Sequence, residues 1–175
     1  MTELDYVIRR ATIADVAVIA HHRAAMFRDM GELDDAEMPA LEAATREYLT
    51  HALPSEEYQG WVVDTAGHVV GGGGVLLRPL LPRPGAPRGG AEAYVLNVYT
   101  EPEHRRRGLA RQLMQSILAW CEARGVARVT LHASDDGRAL YESLGFAQTN
   151  EMRRDKAAEQ RHAGPPALTL RRRDG

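Results

Sequence analysis

The chain has 175 residues, 44% of them apolar, with 22 Lys plus Arg against 24 Asp plus Glu and a formal charge of −2. That length and composition fit one ordinary globular domain. Cys121 is the single cysteine, which excludes an intramolecular disulfide framework and a multi-cysteine zinc site. No run approaches the ~18 apolar residues that span a bilayer, and the acidic opening Thr2-Glu3-Leu4-Asp5 is unlike a signal peptide. Near-neutral charge argues against a protein that coats nucleic acid. The expectation is a cytoplasmic protein with no metal, no membrane and no nucleic-acid partner; a homodimer is left open.

Tyr6 to Arg10 reads as a short strand, and Thr12-x-x-Asp15 as a variant capping box. Ile13, Val16, Ala20, Ala24, Phe27 and Met30 follow at steps of three and four, one helical stripe that Gly31 ends. A second helix is expected from Asp34 to His51, with Leu41, Thr45, Tyr48 and Leu49 inward and Pro54 closing the pair. Tyr58 to Thr65 and Val69 to Leu77 read as strands joined by the turn Ala66-Gly67-His68. The run Gly71-Gly72-Gly73-Gly74 has no helix after it. It therefore reads as a strand that bends or is closely approached, not as a phosphate loop.

Pro79 to Gly90, with four prolines and three glycines, is expected to be an irregular connection. Ala91 to Thr100 reads as a strand buried on both faces, stopped by Pro102. The helix expected from Arg107 to Arg124 carries Leu109, Leu113, Ile117 and Trp120 beside Ala110, Met114, Leu118 and Cys121, an apolar face wide enough to lie flat on a sheet. Gly125 ends it. Arg128 to His132 is a further strand, Gly137 to Leu144 a short helix ended by Gly145, and Phe146 to Arg154 is expected to be extended. Asp155 to Pro166 reads as a loop, with Ala167 to Arg171 either a last strand or a tail. The expected organisation is a domain over residues 1–154 and a C-terminal segment over 155–175.

The chemistry concentrates where the strand ending at Thr100 meets the long helix. Helix N-termini carry unpaired N–H groups and partial positive charge that suit a phosphate. Gly108 and Ala110 remove bulk there, and Arg105, Arg106, Arg107 and Arg111 add cations where the helix dipole disfavours them. An anion at that point would offset the placement.

Arg105-x-x-Gly108-x-Ala110 resembles the (Gln/Arg)-x-x-Gly-x-(Gly/Ala) signature of the GNAT superfamily of N-acetyltransferases. Leu140-Tyr141-Glu142-Ser143-Leu144-Gly145-Phe146 is similar to the family's Leu-Tyr-x-x-x-Gly-Phe segment, in the matching order of elements. The resemblance spans Tyr6 to Arg154. It implies an α/β fold, a GNAT-like central mixed β-sheet flanked by helices, with acyl-CoA in a V-shaped split between two adjacent strands. It implies acetyl-CoA as co-substrate, its pantetheine arm against the backbone of Val98, Tyr99 and Thr100, and its pyrophosphate on the N–H groups of Arg105, Arg106, Arg107, Gly108, Leu109, Ala110 and Arg111. Ser134 stands where many relatives carry an asparagine that contacts that arm. Tyr141 matches the tyrosine that protonates the departing thiolate. Relatives whose base lies on the strand carry glutamate where this chain has Tyr94; Glu92, two residues earlier and on the same face by alternation, is either the substitute, acting through a water, or a solvated charge at the strand end.

The implied activity is acetyl transfer to a primary amine of a small-molecule or peptide acceptor. The alternative is a non-catalytic acyl-CoA-binding regulatory module, supported by the glutamate missing at Tyr94. Adjacent His21 and His22 point apart on a helix and make a poor metal pair. Arg23, Phe27 and Met30 mark a helix face that would wall the acceptor cleft.

Overall fold

The computed structural model describes residues 5–154. Within it the chain divides into two compact units, one ending at Arg138 and one beginning at Ala139. The expected loop from Asp155 and strand at Ala167 to Arg171 lie outside the described residues.

The first unit is a five-stranded sheet in the order β1-β2-β3-β4-β5, formed by Val7–Arg10, Tyr58–Thr65, His68–Leu80, Gly90–Thr100 and Arg128–Leu131. The first four strands run antiparallel and β4 pairs β5 in parallel, so the sheet is mixed as expected. Helices α1 (Val16–Asp29) and α2 (Met38–Ala52) cover one face, and α3 (Leu109–Ala123) covers the other. Strand alternation produces this division. Val62 and Tyr58 pack with Val16, Ile19, Leu49 and Ala52, whereas Trp61, at a position of opposite parity, meets Trp120 of α3 edge-on at 5.5 Å.

The local signals that end helices behave as anticipated. Gly31, Gly125 and Gly145 all have positive φ, and behind each the next N–H reaches back across the last turn: Glu32 to Phe27, Val126 to Cys121 and Phe146 to Tyr141. These are Schellman closures, which glycine makes without steric penalty. At the front of α1, Asp15 accepts from the Thr12 N–H at 2.7 Å and from both Arg9 Nη atoms at 2.9 Å. One carboxylate thus ties β1 to the helix start through a 3-10 turn, Ile13–Asp15.

Several boundaries differ from expectation. β3 runs on to Leu80 because Pro79 and Leu80 still pair with Ala91 and Gly90; the irregular connection shortens accordingly. β4 is covered on both faces, as expected, because its alternation resets at Asn97: Ala93 and Val95 are buried on one face, Asn97 and Tyr99 on the α1 side, and their neighbours are half-buried. α2 starts at Met38, and Tyr48 turns outward to donate to Glu57 at 2.6 Å. At the ends of the α1 stripe, Ile13 and Met30 are exposed. Residues 146–154 form no strand; from Ala147 onward they are mostly polar and all exposed, including Met152 at 95%, and offer no continuous apolar face to dock.

The glycine run is a place of close approach, as expected. A Cβ on Gly74 would lie 2.2 Å from the Tyr58 hydroxyl, and Tyr58 is only 1% exposed, with no room to retreat. Gly74→Ala should therefore overpack the sheet and lower unfolding free energy by about 1–3 kcal/mol, read by denaturant titration.

Candidate active site

Strands β4 and β5 pair only from Glu92 opposite Arg128 to Val95 opposite Leu131, where β5 ends. On its other edge β4 stays paired with β3 up to Thr100. The β5-side edge of Leu96–Thr100 therefore has no strand partner, and the two strands part in a V. Asn97 sits at this parting with φ +59, opposite a register shift between Gly72 and Gly74. That is a β-bulge, which bends and twists the strand locally. The Glu101 N–H bonds Val70 O at 2.9 Å. By alternation, the backbone groups of Tyr99 also face β3, and those of Val98 and Thr100 face the open edge. The Val98 side chain packs towards Leu113 and Ile117, around the space beside Gly73.

β4 leads into α3 through Glu101–Gly108. The helix begins at Leu109, two residues later than expected, so Arg105, Arg106 and Arg107 precede it and Arg111 alone lies in its first turn. Arg106 (φ +63) and Gly108 (φ +78) are both left-handed, a conformation that costs a non-glycine residue roughly 1–2 kcal/mol. Left-handed residues beside right-handed ones turn successive amides to one side as an anion nest. Gly108 caps α3 without a side-chain bond, so no side chain of the cap occupies the first-turn amides. Arg106 and Arg107 are exposed. Arg105 is used by the fold itself: it donates to Thr100 O at 2.9 Å, pairs with Asp29 and lies over Tyr99. The Asp29 carboxylate accordingly holds its pKa up.

On the α1 side of β4, the Arg23 guanidinium donates to Asn97 Oδ1 and stacks on Phe27 at 4.9 Å. The Asn97 amide in turn donates to the Tyr58 hydroxyl at 3.5 Å. Burial lowers the Arg23 pKa and raises that of Tyr58. Tyr94 shares a 2.7 Å hydrogen bond with His132 Nδ1, and Arg78 lies 4.2 Å over its ring. Glu92 is 3.6 Å from Arg128, at the paired end of β4 and six residues before Val98, roughly 20 Å along an extended strand. His22 is buried, 3.1 Å from Glu101, and His21 instead meets Glu42 at 2.8 Å. The two rings do not converge, and among the described residues no group of His, Cys, Asp and Glu is arranged to hold a metal.

Ser134 is exposed and its Oγ accepts from the Gly137 N–H at 3.2 Å, capping α4 (Asp135–Ser143). In the second unit, Tyr141 meets Phe146 edge-on at 6.0 Å, and burial raises its phenol pKa. Sequence reasoning missed the Arg23–Asn97–Tyr58 chain and the Tyr94–His132 pair. The visible signals were Asn97 inside an apolar strand, since a buried amide requires partners, Arg23 on the α1 face and His132 at a strand end.

The sequence profile of the Acetyltransferase (GNAT) family matches residues 26–146, and the chain belongs to that family. The uncharacterized N-acetyltransferase YjgM of Escherichia coli is 30% identical over 147 residues, 80% of this chain and 81% of its own. The ribosomal protein bS18-alanine N-acetyltransferase of Salmonella typhimurium is 35% identical over 82 residues, 45% of this chain; the match spans about half, 55%, of that relative's length. A GCN5-related N-acetyltransferase from Ralstonia eutropha superposes with a TM-score of 0.79 at 33% identity, over 87% of this chain and all but 1% of the other (99% covered). A predicted acetyltransferase with acetyl-CoA from Clostridium acetobutylicum shares the fold, with a TM-score of 0.79 at 21% identity over 90% of this chain and 100% of the other. Among the described residues no helix is long and apolar enough to cross a membrane.

Proposed function

We propose that the protein transfers an acetyl group from acetyl-CoA to a primary amine. The observation that carries this is the parting of β4 from β5 directly before a left-handed, uncapped turn into α3. An open strand edge suits the amide groups of a pantetheine arm, and the amides at Gly108 to Arg111 suit a pyrophosphate. Arg106, Arg107 and Arg111 would add charge there, with Ser134 near the end of β5. Acetyl-CoA supplies the acetyl group already activated as a thioester.

The remaining chemistry belongs to this chain. The Val98 N–H, aimed at the open edge, would polarise the acetyl carbonyl oxygen. Tyr141 would hold the proton for the departing sulfur, its raised pKa keeping the phenol protonated at neutral pH. For the proton on the attacking amine, the Tyr94–His132 pair is better placed than Glu92, whose carboxylate is occupied by Arg128. Tyr94 would orient the imidazole, the commonest general base in enzymes. His132→Gln should lower kcat about 100-fold, while Glu92→Gln should stay within about threefold of wild type on the surface-pair scale; the reverse order would return the role to Glu92.

The reading is tested by thermal unfolding with acetyl-CoA. A ligand at ~100 times its Kd should stabilise the fold by about 2.7 kcal/mol. No shift at saturation would refute the acetyl-CoA site. A shift without turnover of any amine would favour the non-catalytic module.

A further inference from the structure

Resting on the acetyl-transfer reading, we infer that the acceptor is a small amine bearing a carboxylate, an α-amino acid or a close analogue, and that Arg23 is the residue that recognises it. Several other arginines of the first unit are matched by a carboxylate. Arg9 forks onto Asp15, Arg105 takes Asp29, Arg124 takes Glu56 and Arg128 takes Glu92. Arg10, which is exposed and has no carboxylate, donates to Gln59 Oε1 and lies over the Trp61 and Trp120 rings at 4.2 and 5.3 Å.

Arg23 has no such carboxylate and, unlike Arg10, it is half-buried. It is more deeply placed than the exposed pairs, and its partners are one neutral amide oxygen and the single ring of Phe27. Among the described residues no carboxylate lies within ion-pairing distance of it. A partly desolvated cation without a counter-charge is unfavourable, so a protein that keeps one gains something else from it. The amide oxygen of Asn97 fixes one Nη1 donor, which leaves the rest of a planar fork suited to a carboxylate.

Placement narrows the ligand. Arg23 is held on Asn97, the residue next to Val98, whose backbone faces the parting of the strands. A carboxylate on Arg23 therefore brings an amine only one or two bonds further on towards that edge. Arg78, stacked on Tyr94 of the same face, adds a second positive charge. Together they disfavour polycationic acceptors such as polyamines or aminoglycosides.

The test measures coenzyme A release from acetyl-CoA with a panel of L-α-amino acids, their carboxamides and spermidine. Wild type should prefer at least one free acid over its own amide by 10-fold or more in kcat/KM. Arg23→Gln should reduce that acid-over-amide ratio about 10- to 100-fold, the range of a lost charge-assisted hydrogen bond; Arg23→Lys should recover part of it. Arg23→Met also leaves Asn97 Oδ1 without its donor, so stability does not separate the roles; a structural role predicts instead that acids and amides are slowed alike. Equal use of acids and amides, preference for spermidine, or a Gln variant that slows both substrates alike would each overturn the inference. Acetyl-CoA binding with no carboxylate-bearing amine turned over would overturn it too and leave the acetyl-CoA site standing; failure of acetyl-CoA to bind would remove the reading beneath both.

Discussion

Ala110→Asp is expected to abolish acetyl-CoA binding without weakening the unliganded protein. Ala110 is the second residue of α3 and half-buried. A carboxylate there sits among the first-turn amides, where it interacts favourably with the helix dipole by about 0.3–1 kcal/mol. The same charge lies where the pyrophosphate would bind. Two like charges about 4 Å apart at a protein surface repel by about 4 kcal/mol, and salt reduces this. A loss of at least ~100-fold in acetyl-CoA affinity should result, read by calorimetry, with the Tm of the free protein unchanged or slightly raised. The opposite signs make the result specific. A Tm drop together with lost binding would mean ordinary misfolding, and retained binding would place the pyrophosphate elsewhere.

Tyr141→Phe should lower kcat about 100-fold or more while acetyl-CoA affinity stays within about threefold, the expected signature of a lost general acid. The substitution keeps the ring that meets Phe146 at 6.0 Å, so the helix end should survive. Because the acid must be protonated to act, activity is lost as pH rises through its pKa. Burial moves that pKa upward from 10.0, so the alkaline limb of the wild-type profile should fall above the ordinary tyrosine value. In the Phe variant that limb should vanish. An unchanged kcat would assign thiolate protonation to water.

The helix ends were readable from the chain because they are local events. Gly31, Gly125 and Gly145 each supply the one left-handed residue a Schellman closure needs, and nothing distant competes with it. The apolar stripe of α3 was equally clear: Leu109, Leu113 and Ile117 are buried as their spacing requires. Misjudged segments were those whose state depends on a partner. Pro79 lies in a strand only because Ala91 pairs with it, and residues 146–154 form no strand because their polar sequence gives no face to bury.

Three arginines before Gly108 and a fourth after it marked where an anion was expected, but their individual roles were not in the sequence. Arg105 turned out to belong to Asp29, Thr100 and Tyr99, whereas Arg106 and Arg107 are exposed at the turn. The sequence by itself determined the mixed α/β architecture, the family signature and the position of the helix whose start suits an anion, because periodicity, turn residues and close spacing are properties of contiguous chain. Tertiary structure decided where β4 parts from β5, that Asn97 bulges there, and that Arg23 reaches it from α1 across 74 positions of sequence. Those depend on strand register and on which face a helix presents, and both are set by packing between segments that the chain order keeps far apart.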